Sequence, residues 1–462
     1  MSLLIKNGRI VTAEEDYTSD IYIENERVTE IAPSLNINAD KIIEADGKYV
    51  IPGGIDVHTH LDMPYGETSS SDDFETGTIA AAFGGTTSII DYATQTRGKS
   101  LSEGLDQWHK KAEGKAVIDY GFHMIIIDLP DERISEMDDM IAEGVTSFKL
   151  FFAYPNLLMA DDSTILKALK KTSRNGGLIC VHAENGMMIE KIIKENVAKG
   201  NLAPKFHALS RPPAAEADAT ERAISLAGIA GAPVYIVHLS CDEALLKVSE
   251  ARYNGKPIFA ETCPQYLYLS IDDISKPDFE GAKYLFSPPV REKWNQEKLW
   301  NGLIKNELQV VSTDHCPFNF TGQKDSGKGD FTKIPNGGPG IENRMHLIYQ
   351  GGVNENRISL KRWVEITSAN PAKIFGMYPR KGTIAQGSDA DIVIWDPEKE
   401  ITISSKTHHM RVDYSMYEGI KIKGDAELVI SRGEIIVENK KFLGKTGRGK
   451  FIKRSAYGSA WK

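Results

Sequence analysis

The sequence has few cysteines, and their spacing gives no sign of a disulfide framework. The 462 residues include four, Cys180, Cys241, Cys263 and Cys316, which lie far apart and form no Cys-x-x-Cys pair. Neither a disulfide scaffold nor a zinc site made of thiolates is indicated by such spacing. We therefore expect four small side chains in the core.

Long apolar runs and an excess of basic charge are also absent. No stretch approaches the ~20 apolar residues of a membrane span, and residues 1–7 contain no apolar leader, so we expect a cytoplasmic protein without a membrane partner. The formal charge of −9 argues against nucleic acid, whose binding proteins carry a basic surface. Metal ions and small molecules with little charge remain possible ligands for a protein of this net charge.

The chain has no fixed-period repeat or low-complexity segment, and its middle alternates apolar runs with amphipathic helical stretches. A closed parallel (β/α)8 TIM barrel is favoured over an open sheet by this alternation. The predicted strands are Gly54–His58, Thr87–Tyr92, Gly121–Ile127, Thr146–Phe151, Leu178–His182, Val234–His238, Ile258–Cys263 and Val310–Asp314.

Short strand-like segments occur at both ends of the chain, and neither group has enough apolar surface to stand alone. We predict a smaller β-sandwich domain built from both ends, with the barrel inserted between them. The expected boundaries are 1–52 and 376–440 for the two parts of this domain, 53–375 for the barrel and 441–462 for a C-terminal tail.

Polar residues of metal-binding types close five of the predicted barrel strands. In such barrels the chemistry lies at the carboxyl ends of the strands, so these side chains are expected to meet. Singly, each histidine could be a hydrogen-bonded core or loop residue; together they predict a metal centre. The residues are His58, His60, Lys149, His182, His238 and Asp314.

Lys149 lies within the apolar run Ser147-Phe148-Lys149-Leu150-Phe151-Phe152. Burying an unpaired ammonium costs several kcal/mol, so a lysine here should lose its proton readily. The neutral amine reacts with carbon dioxide to form a carbamate, which can bridge two divalent ions. The alternative is a lysine whose stem packs among the aromatic rings while the amine reaches solvent.

Several motifs resemble the binuclear amidohydrolase superfamily, and more narrowly its dihydropyrimidinase and D-hydantoinase branch. The superfamily motifs are Val57-His58-Thr59-His60, Phe148-Lys149, Val181-His182-Ala183-Glu184-Asn185, Val237-His238-Leu239-Ser240 and Ser312-Thr313-Asp314-His315. The branch motifs include Leu61-Asp62-Met63-Pro64, Glu261-Thr262-Cys263-Pro264-Gln265-Tyr266, Phe286-Ser287-Pro288-Pro289-Val290-Arg291 and Ile334-Pro335-Asn336-Gly337-Gly338-Pro339-Gly340.

This resemblance implies a cyclic amidase that opens 5-substituted hydantoins and dihydropyrimidines to N-carbamoyl amino acids. It implies that His58, His60 and Asp314 bind one zinc ion and His182 and His238 a second. N-carboxylated Lys149 and a hydroxide would bridge the two ions. Asp314 would transfer the proton, and the Tyr154 phenol would stabilise the oxyanion.

The resemblance also implies how the cyclic imide is held. Main-chain groups at Ser287 and Asn336 would bind the ring, and the ring substituent would meet an apolar pocket. That pocket would be formed by Met63, Tyr65, Phe151, Phe152 and Met159, although core packing is an alternative for Phe151 and Phe152. Tyr65 stands where close relatives are expected to have Phe. Relatives are usually homotetramers, and we expect a homotetramer or a dimer here.

Three other functions are compatible with parts of the pattern. Dihydroorotase is disfavoured because Asp62 replaces an arginine that would bind an acidic substrate. An allantoinase-like cyclic amidase is less firmly excluded. A non-catalytic scaffold relative would have lost metal ligands, whereas all six are present here. His123 and the His408-His409 pair are expected to lie outside the metal centre.

Overall fold

The computed structural model describes residues 2–457, which form two large β-sheets, a two-stranded hairpin and a surrounding layer of helices. The strands are β1 (Leu3–Val11), β2 (Asp16–Glu24), β3 (Arg27–Ala32), β4 (Lys41–Glu44), β5 (Tyr49–Pro52), β6 (Gly54–Thr59), β7 (Pro64–Tyr65), β8 (Thr68–Ser69), β9 (Thr86–Thr94), β10 (Asp119–Ile125), β11 (Ser147–Phe151), β12 (Leu178–His182), β13 (Val234–Ile236), β14 (Ile258–Thr262), β15 (Val310–Val311), β16 (Ile392–Thr402), β17 (Lys421–Ser431), β18 (Glu434–Glu438) and β19 (Lys441–Phe442).

Helices fill most of the connections between barrel strands. They are α1 (Phe74–Phe83), α2 (Leu101–Ala112), α3 (Glu136–Ala142), α4 (Asp162–Asn175), α5 (Gly186–Ala198), α6 (Lys205–Leu209), α7 (Pro213–Ala230), α8 (Asp242–Tyr253), α9 (Pro264–Tyr268), α10 (Ile271–Ile274), α11 (Asn295–Ile304), α12 (Arg344–Ile348), α13 (Leu360–Val364) and α14 (Asn370–Ile374). Among residues 2–457, no helix combines the length and apolar character needed to cross a membrane.

The eight-stranded sheet is the predicted barrel, and each of the eight predicted strands is present. Its strands are parallel in the order β6, β9, β10, β11, β12, β13, β14, β15. A parallel bridge between Thr59 and His315 brings the last strand against the first, and the His60 amide donates to the His315 carbonyl at 2.9 Å. The (β/α)8 architecture predicted from the sequence is confirmed.

Alternate side chains of each barrel strand pack in two different cores, one between the barrel and the helices and one inside the barrel. On β12, Ile179 and Val181 pack outward in the main core with the helices, whereas Leu178 and Cys180 pack inside the barrel. Strands that are buried on both faces read as nearly continuous apolar runs. A polar residue at an inward position near the carboxyl end therefore points into the barrel mouth.

The second sheet contains nine strands from both ends of the chain, as predicted. It runs β19, β18, β17, β16, β5, β1, β2, β3, with β4 also paired to β1. The antiparallel pairing of β5 with β16 joins the two ends. One face of β16 packs with Ile392 and Ile394 in the sheet's own core, and the other face packs with Val393 and Trp395 against the barrel core.

The segment that follows β19 packs on the amino-terminal end of the barrel instead of extending away from it. The Tyr120 amide donates to the Lys450 carbonyl at 3.0 Å, and the Ile452 amide donates to Tyr120 at 2.7 Å. The Arg454 side chain is buried and donates to the Ser147 hydroxyl at 3.0 Å. The rest of the predicted tail, residues 458–462, lies outside the described residues.

Candidate metal centre and substrate pocket

The six predicted metal ligands meet at the carboxyl end of the barrel strands. Asp314 Oδ1 lies 3.1 Å from His58 Nε2 and 3.3 Å from His60 Nε2. His58 Nε2 is also 3.5 Å from Lys149 Nζ.

A second pair of imidazoles lies beside this group. His182 Nδ1 is 2.9 Å from His238 Nε2, and ligand atoms of His58, His238 and Asp314 lie within 4.8 Å of one another. Six potential ligand side chains from five strands thus form one buried cluster.

Two of these residues have backbone conformations that are rare for side chains other than glycine. His238 has φ = 40° and Asp314 has φ = 52°, which are left-handed values that cost of order 1–3 kcal/mol. Both follow the ends of short strands. The backbone there turns to aim the side chains at the cluster, as often occurs at functional sites.

The electrostatics of the cluster favour one anion among several neutral imidazoles. Burial alone would raise the pKa of Asp314, but attraction from His58, His60 and His238 holds it well below its usual range. Burial lowers the pKa of His60 to about 4 and that of His238 well below its ordinary value. A metal ligand must be deprotonated, and these groups already are near neutral pH.

His58 is the exception among the histidines. Burial and Lys149 act to lower its pKa, but Asp314 and Glu261 raise it above the usual value. Two carboxylates therefore draw a positive charge to this ring. A divalent cation and a proton compete for the same nitrogen, so His58 is well placed to exchange one for the other.

Lys149 is fully enclosed, with 1% of its surface exposed. Its Nζ lies 4.5 Å from the Tyr92 ring centroid and 5.2 Å from that of Phe151. Burial lowers its pKa to about 8, against the opposing attraction of Asp314 and Glu261. The alternative that its amine reaches solvent is therefore wrong.

Two carboxylates that were not singled out as ligands orient the histidines. Glu261 accepts from His58 Nδ1 at 2.5 Å, from the His238 amide at 3.1 Å and from the Tyr235 hydroxyl at 2.8 Å. Glu184 accepts from His182 Nε2 at 2.8 Å. Such partners fix which ring nitrogen carries the proton, so the other nitrogen faces the centre. Glu261 lies near the end of the seventh barrel strand, where the strand-end rule could have found it.

The donor set fits divalent cations. Imidazole and carboxylate ligands suit zinc and related ions, and the second nitrogens of His58 and His182 are bound to carboxylates in the manner that metal ligands require. Among the described residues, His58, His238 and Asp314 form a group that could hold one ion.

Tyr154 lies beside the metal cluster, as the sequence predicted. Its ring centroid is 5.4 Å from that of His182, and it has φ = 64°. Burial raises its pKa to about 12, although Arg211 and a hydrogen bond with Ser287 act in the opposite direction. The phenol therefore stays protonated near neutral pH and can donate a hydrogen bond.

Other predicted substrate residues surround the same opening. Asn336 Nδ2 donates to the Tyr65 hydroxyl at 3.2 Å, and the Tyr65 ring packs edge-on against Phe318. Ser287 Oγ lies 3.2 Å from His207 Nε2. The Tyr65 phenol, unusual in the sequence pattern, is thus tied to the segment that was expected to hold the imide.

Phe151 and Phe152 pack in different clusters of side chains. The Phe151 ring stacks on His182 with centroids 5.4 Å apart, and its backbone bridges to Met159. Phe152 packs outward in the main core, below Arg222 of α7. Phe152 follows the last residue of β11, so strand alternation does not fix the direction of its ring, and its place in the pocket stays a prediction. Met63 lies just before the β7–β8 hairpin, where its backbone bonds Ser70.

The remaining histidines lie outside the cluster, as expected. His123 is a satisfied core residue, with Nδ1 2.6 Å from Ser147 Oγ and Nε2 2.9 Å from the Val57 carbonyl. His409 stacks on Phe83 and lies 2.9 Å from Glu342.

Asp62 lies 3.6 Å from Lys111 on α2. The Lys111 ammonium partly offsets the negative charge of Asp62. The expected repulsion between Asp62 and an acidic substrate is therefore weaker than the sequence alone suggested.

The comparisons with known proteins agree with this geometry. Residues 49–436 match the amidohydrolase family. The chain is 53% identical to the D-hydantoinase of Streptomyces coelicolor over 98% of both chains, and 50% identical to that of Geobacillus stearothermophilus over 99% of this chain and 98% of the other. The structure of the dihydropyrimidinase from Brevibacillus agri NCHU1002 superposes with a TM-score of 0.98 at 52% identity, covering 99% of each chain.

The chain is a member of the amidohydrolase family. Within it, the chain belongs to the branch of the D-hydantoinases and dihydropyrimidinases.

Proposed function

We propose that the protein is a metal-dependent hydrolase that opens the ring amide of 5-substituted hydantoins and dihydropyrimidines to give N-carbamoyl amino acids. The observation that carries the proposal is the convergence of His58, His60, Lys149, His182, His238 and Asp314 at the barrel mouth. Tyr154 and the opening formed near Tyr65 and Asn336 lie next to this cluster.

The resident cofactor that we propose is a pair of zinc ions, with His58, His60 and Asp314 holding one and His182 and His238 the other. N-carboxylated Lys149 would be shared by both. When bound, such a pair supplies hydroxide at neutral pH and polarises the ring carbonyl. The lowered pKa of Lys149, about 8, supports the carbamate because it increases the reactive neutral amine.

The chain's own residues would handle the proton and the developing charge. The Asp314 carboxylate, which is ionised near neutral pH, would take a proton at one oxygen and give it to the departing ring nitrogen. The Tyr154 hydroxyl would donate to the oxyanion, a contact typically worth ~2.7–4 kcal/mol. Main-chain groups of Ser287 and Asn336 would hold the imide.

A rate panel tests the reaction. We expect turnover of dihydrouracil, hydantoin and a 5-aryl hydantoin, compared between the two enantiomers, with allantoin and dihydroorotate hydrolysed far more slowly. Purified protein should contain close to two divalent ions per chain. Full activity in a metal-free preparation, or no turnover of any hydantoin or dihydropyrimidine, would refute the proposal.

Lys149→Ala tests the bridging group. We expect loss of activity and of bound metal, with partial rescue by short carboxylic acids that can occupy the space of the carbamate. Lys170→Ala, on the exposed end of α4, is the matched control and should change neither property. Unchanged turnover in Lys149→Ala would exclude the bridge.

Three further statements stay predictions from the sequence. They are the domain boundaries at 52, 375 and 440, the homotetramer or dimer, and the cytoplasmic location. Limited proteolysis, sedimentation and cell fractionation would test them in turn.

A further inference from the structure

A loop with no role in the proposed chemistry contacts the segments that surround the substrate opening. Residues 319–331 follow the last barrel strand, and Gln323 and Lys324 lie where this loop meets the barrel mouth. The side chains of these two adjacent residues reach different segments. We call the pair the Gln323–Lys324 clamp.

Lys324 joins the two segments that carry the proposed imide-binding groups. Its Nζ donates to the Leu285 carbonyl at 3.2 Å and to the Pro335 carbonyl at 2.9 Å. Leu285 is two residues before Ser287, and Pro335 is one residue before Asn336. The Gly337 amide also donates to Leu285 at 3.0 Å, so the two segments are tied at adjacent points.

The burial of Lys324 is costly for a residue with only a structural role. Its side chain has 0% exposure, and the described residues give it two neutral carbonyl acceptors and no carboxylate. Burial lowers the pKa of this amine to about 7, and desolvating it is costly in either protonation state unless its hydrogen bonds are made. The two carbonyl contacts satisfy the amine and hold the two segments at a fixed separation.

Gln323 holds a different wall of the same opening. Its Nε2 donates to Thr68 Oγ1 at 2.7 Å and to the Ser69 carbonyl at 2.8 Å. Both acceptors lie on β8, which pairs with β7 and so with Tyr65. The two neighbouring side chains therefore hold different segments, one expected to bind the imide and the other expected to meet the ring substituent.

We propose that the Gln323–Lys324 clamp is a positioning device, in which Lys324 sets the backbone that holds the imide and Gln323 sets the hairpin that meets the ring substituent. The inference rests on the proposed function. Neither residue touches the reacting atoms; each acts through the segment that it holds.

The test compares Lys324→Met and Gln323→Ala on dihydrouracil and on a 5-aryl hydantoin. Met keeps the length and apolar stem of lysine but cannot donate. Displacing the imide contacts should lower kcat/KM by about 10–100-fold for both substrates, mainly through KM. Gln323→Ala should raise KM for the 5-aryl hydantoin at least several-fold and leave dihydrouracil unchanged, because only the first substrate has a substituent to place.

Lys328→Met is the matched control, because Lys328 is an exposed lysine of the same loop. It should behave as wild type. Metal content and the thermal midpoint of each variant are measured alongside, since a purely structural role would lower the midpoint and leave KM unchanged.

Each outcome decides between the possibilities. A folded Lys324→Met with wild-type KM for both substrates overturns the role of Lys324. If that variant does not fold, Gln323→Ala decides alone: equal effects on both substrates, or none, overturn the inference. A wild-type protein inactive on both substrates refutes the proposed function instead, and the two failures are thereby distinguished.

Discussion

Replacing Glu261 by Gln should weaken the metal centre without disturbing the fold. Glu261 is completely buried, and its carboxylate receives three hydrogen bonds, from His58, His238 and Tyr235. Gln has the same shape and can still accept at one oxygen. The variant therefore removes the negative charge and one acceptor while it keeps the volume of the side chain.

The size of the effect follows from these contacts. Hydrogen bonds to a charged partner contribute about 1.5–3 kcal/mol each, roughly twice the neutral value. If the Gln oxygen keeps His58 and the His238 amide, two charged contacts become neutral ones, a loss of about 1–3 kcal/mol. The Tyr235 hydroxyl can rotate and accept from the new amide. Metal affinity should fall by about 10–100-fold, the range found for other partners of metal-bound histidines.

Metal affinity is measured by competition with a chromophoric chelator, and turnover is measured in the same samples with and without excess zinc. We expect activity of Glu261→Gln to depend on added zinc at concentrations where wild type is saturated. Tyr235→Phe is the matched control, because it removes one donor to Glu261 and leaves the charge and the histidine contacts. Its affinity should fall by much less.

The reasoning would be refuted by a Glu261→Gln protein that keeps wild-type affinity. It would also be refuted if Tyr235→Phe lost as much metal affinity as Glu261→Gln, because the negative charge of Glu261 beside His58 would then not determine the metal affinity.

Three other predictions concern different parts of the molecule. Lys381→Ala removes the amine that lies 2.9 Å from Asp119 and 2.6 Å from Asp391. Arg432 still pairs with Asp119 at 3.0 Å, but the buried Asp391 loses its ion-pair partner, so thermal unfolding should show a loss of about 3–5 kcal/mol. Arg380→Ala, at an exposed residue, should cost about 0–1 kcal/mol, and equal effects would contradict this. Burial lowers the pKa of Lys149 to about 8, so the fraction of neutral amine rises between pH 7 and pH 9, where a lysine of ordinary pKa would stay protonated. When metal is added back to metal-free protein, the activity recovered with bicarbonate should therefore increase over this pH range. A flat pH profile would contradict this. Tyr154→Phe should lower kcat by about 10²–10³-fold with little change in KM, and unchanged kcat would remove the phenol from the reaction.

The fold could be predicted from the sequence because each barrel strand has a local sequence pattern. Each predicted strand is an apolar run buried on both faces, and its inward positions are set by alternation. The five strand ends that carry the predicted ligands therefore converge in the structure. The two-ended sheet was predictable for a related reason, since neither end could bury its own apolar face.

Features that depend on contacts between distant segments could not be predicted in this way. The sequence left both pocket and core packing open for Phe152, whose ring packs below Arg222 of α7. Residues 441–462 were predicted only as a C-terminal tail, whereas Arg454 is buried in the barrel end near Ser147. Its neighbours there come from strands some 300 residues earlier in the chain, and composition alone gives no sign of them.

The same distinction separates the ligands from the residues that orient them. A ligand needs only to occupy an inward-facing position at the end of a strand. The alternation of apolar residues in the local sequence is enough to identify such a position. An orienting residue must match a particular atom on another strand, as Glu261 matches His58 Nδ1 at 2.5 Å, or another loop, as Lys324 matches the Pro335 carbonyl at 2.9 Å. The strand-end rule could have found the position of Glu261, but local sequence carries no signal for the atom that an orienting residue contacts. Substitutions at orienting positions should therefore change affinity and specificity while the ligand set, and the family pattern that it defines, stays intact.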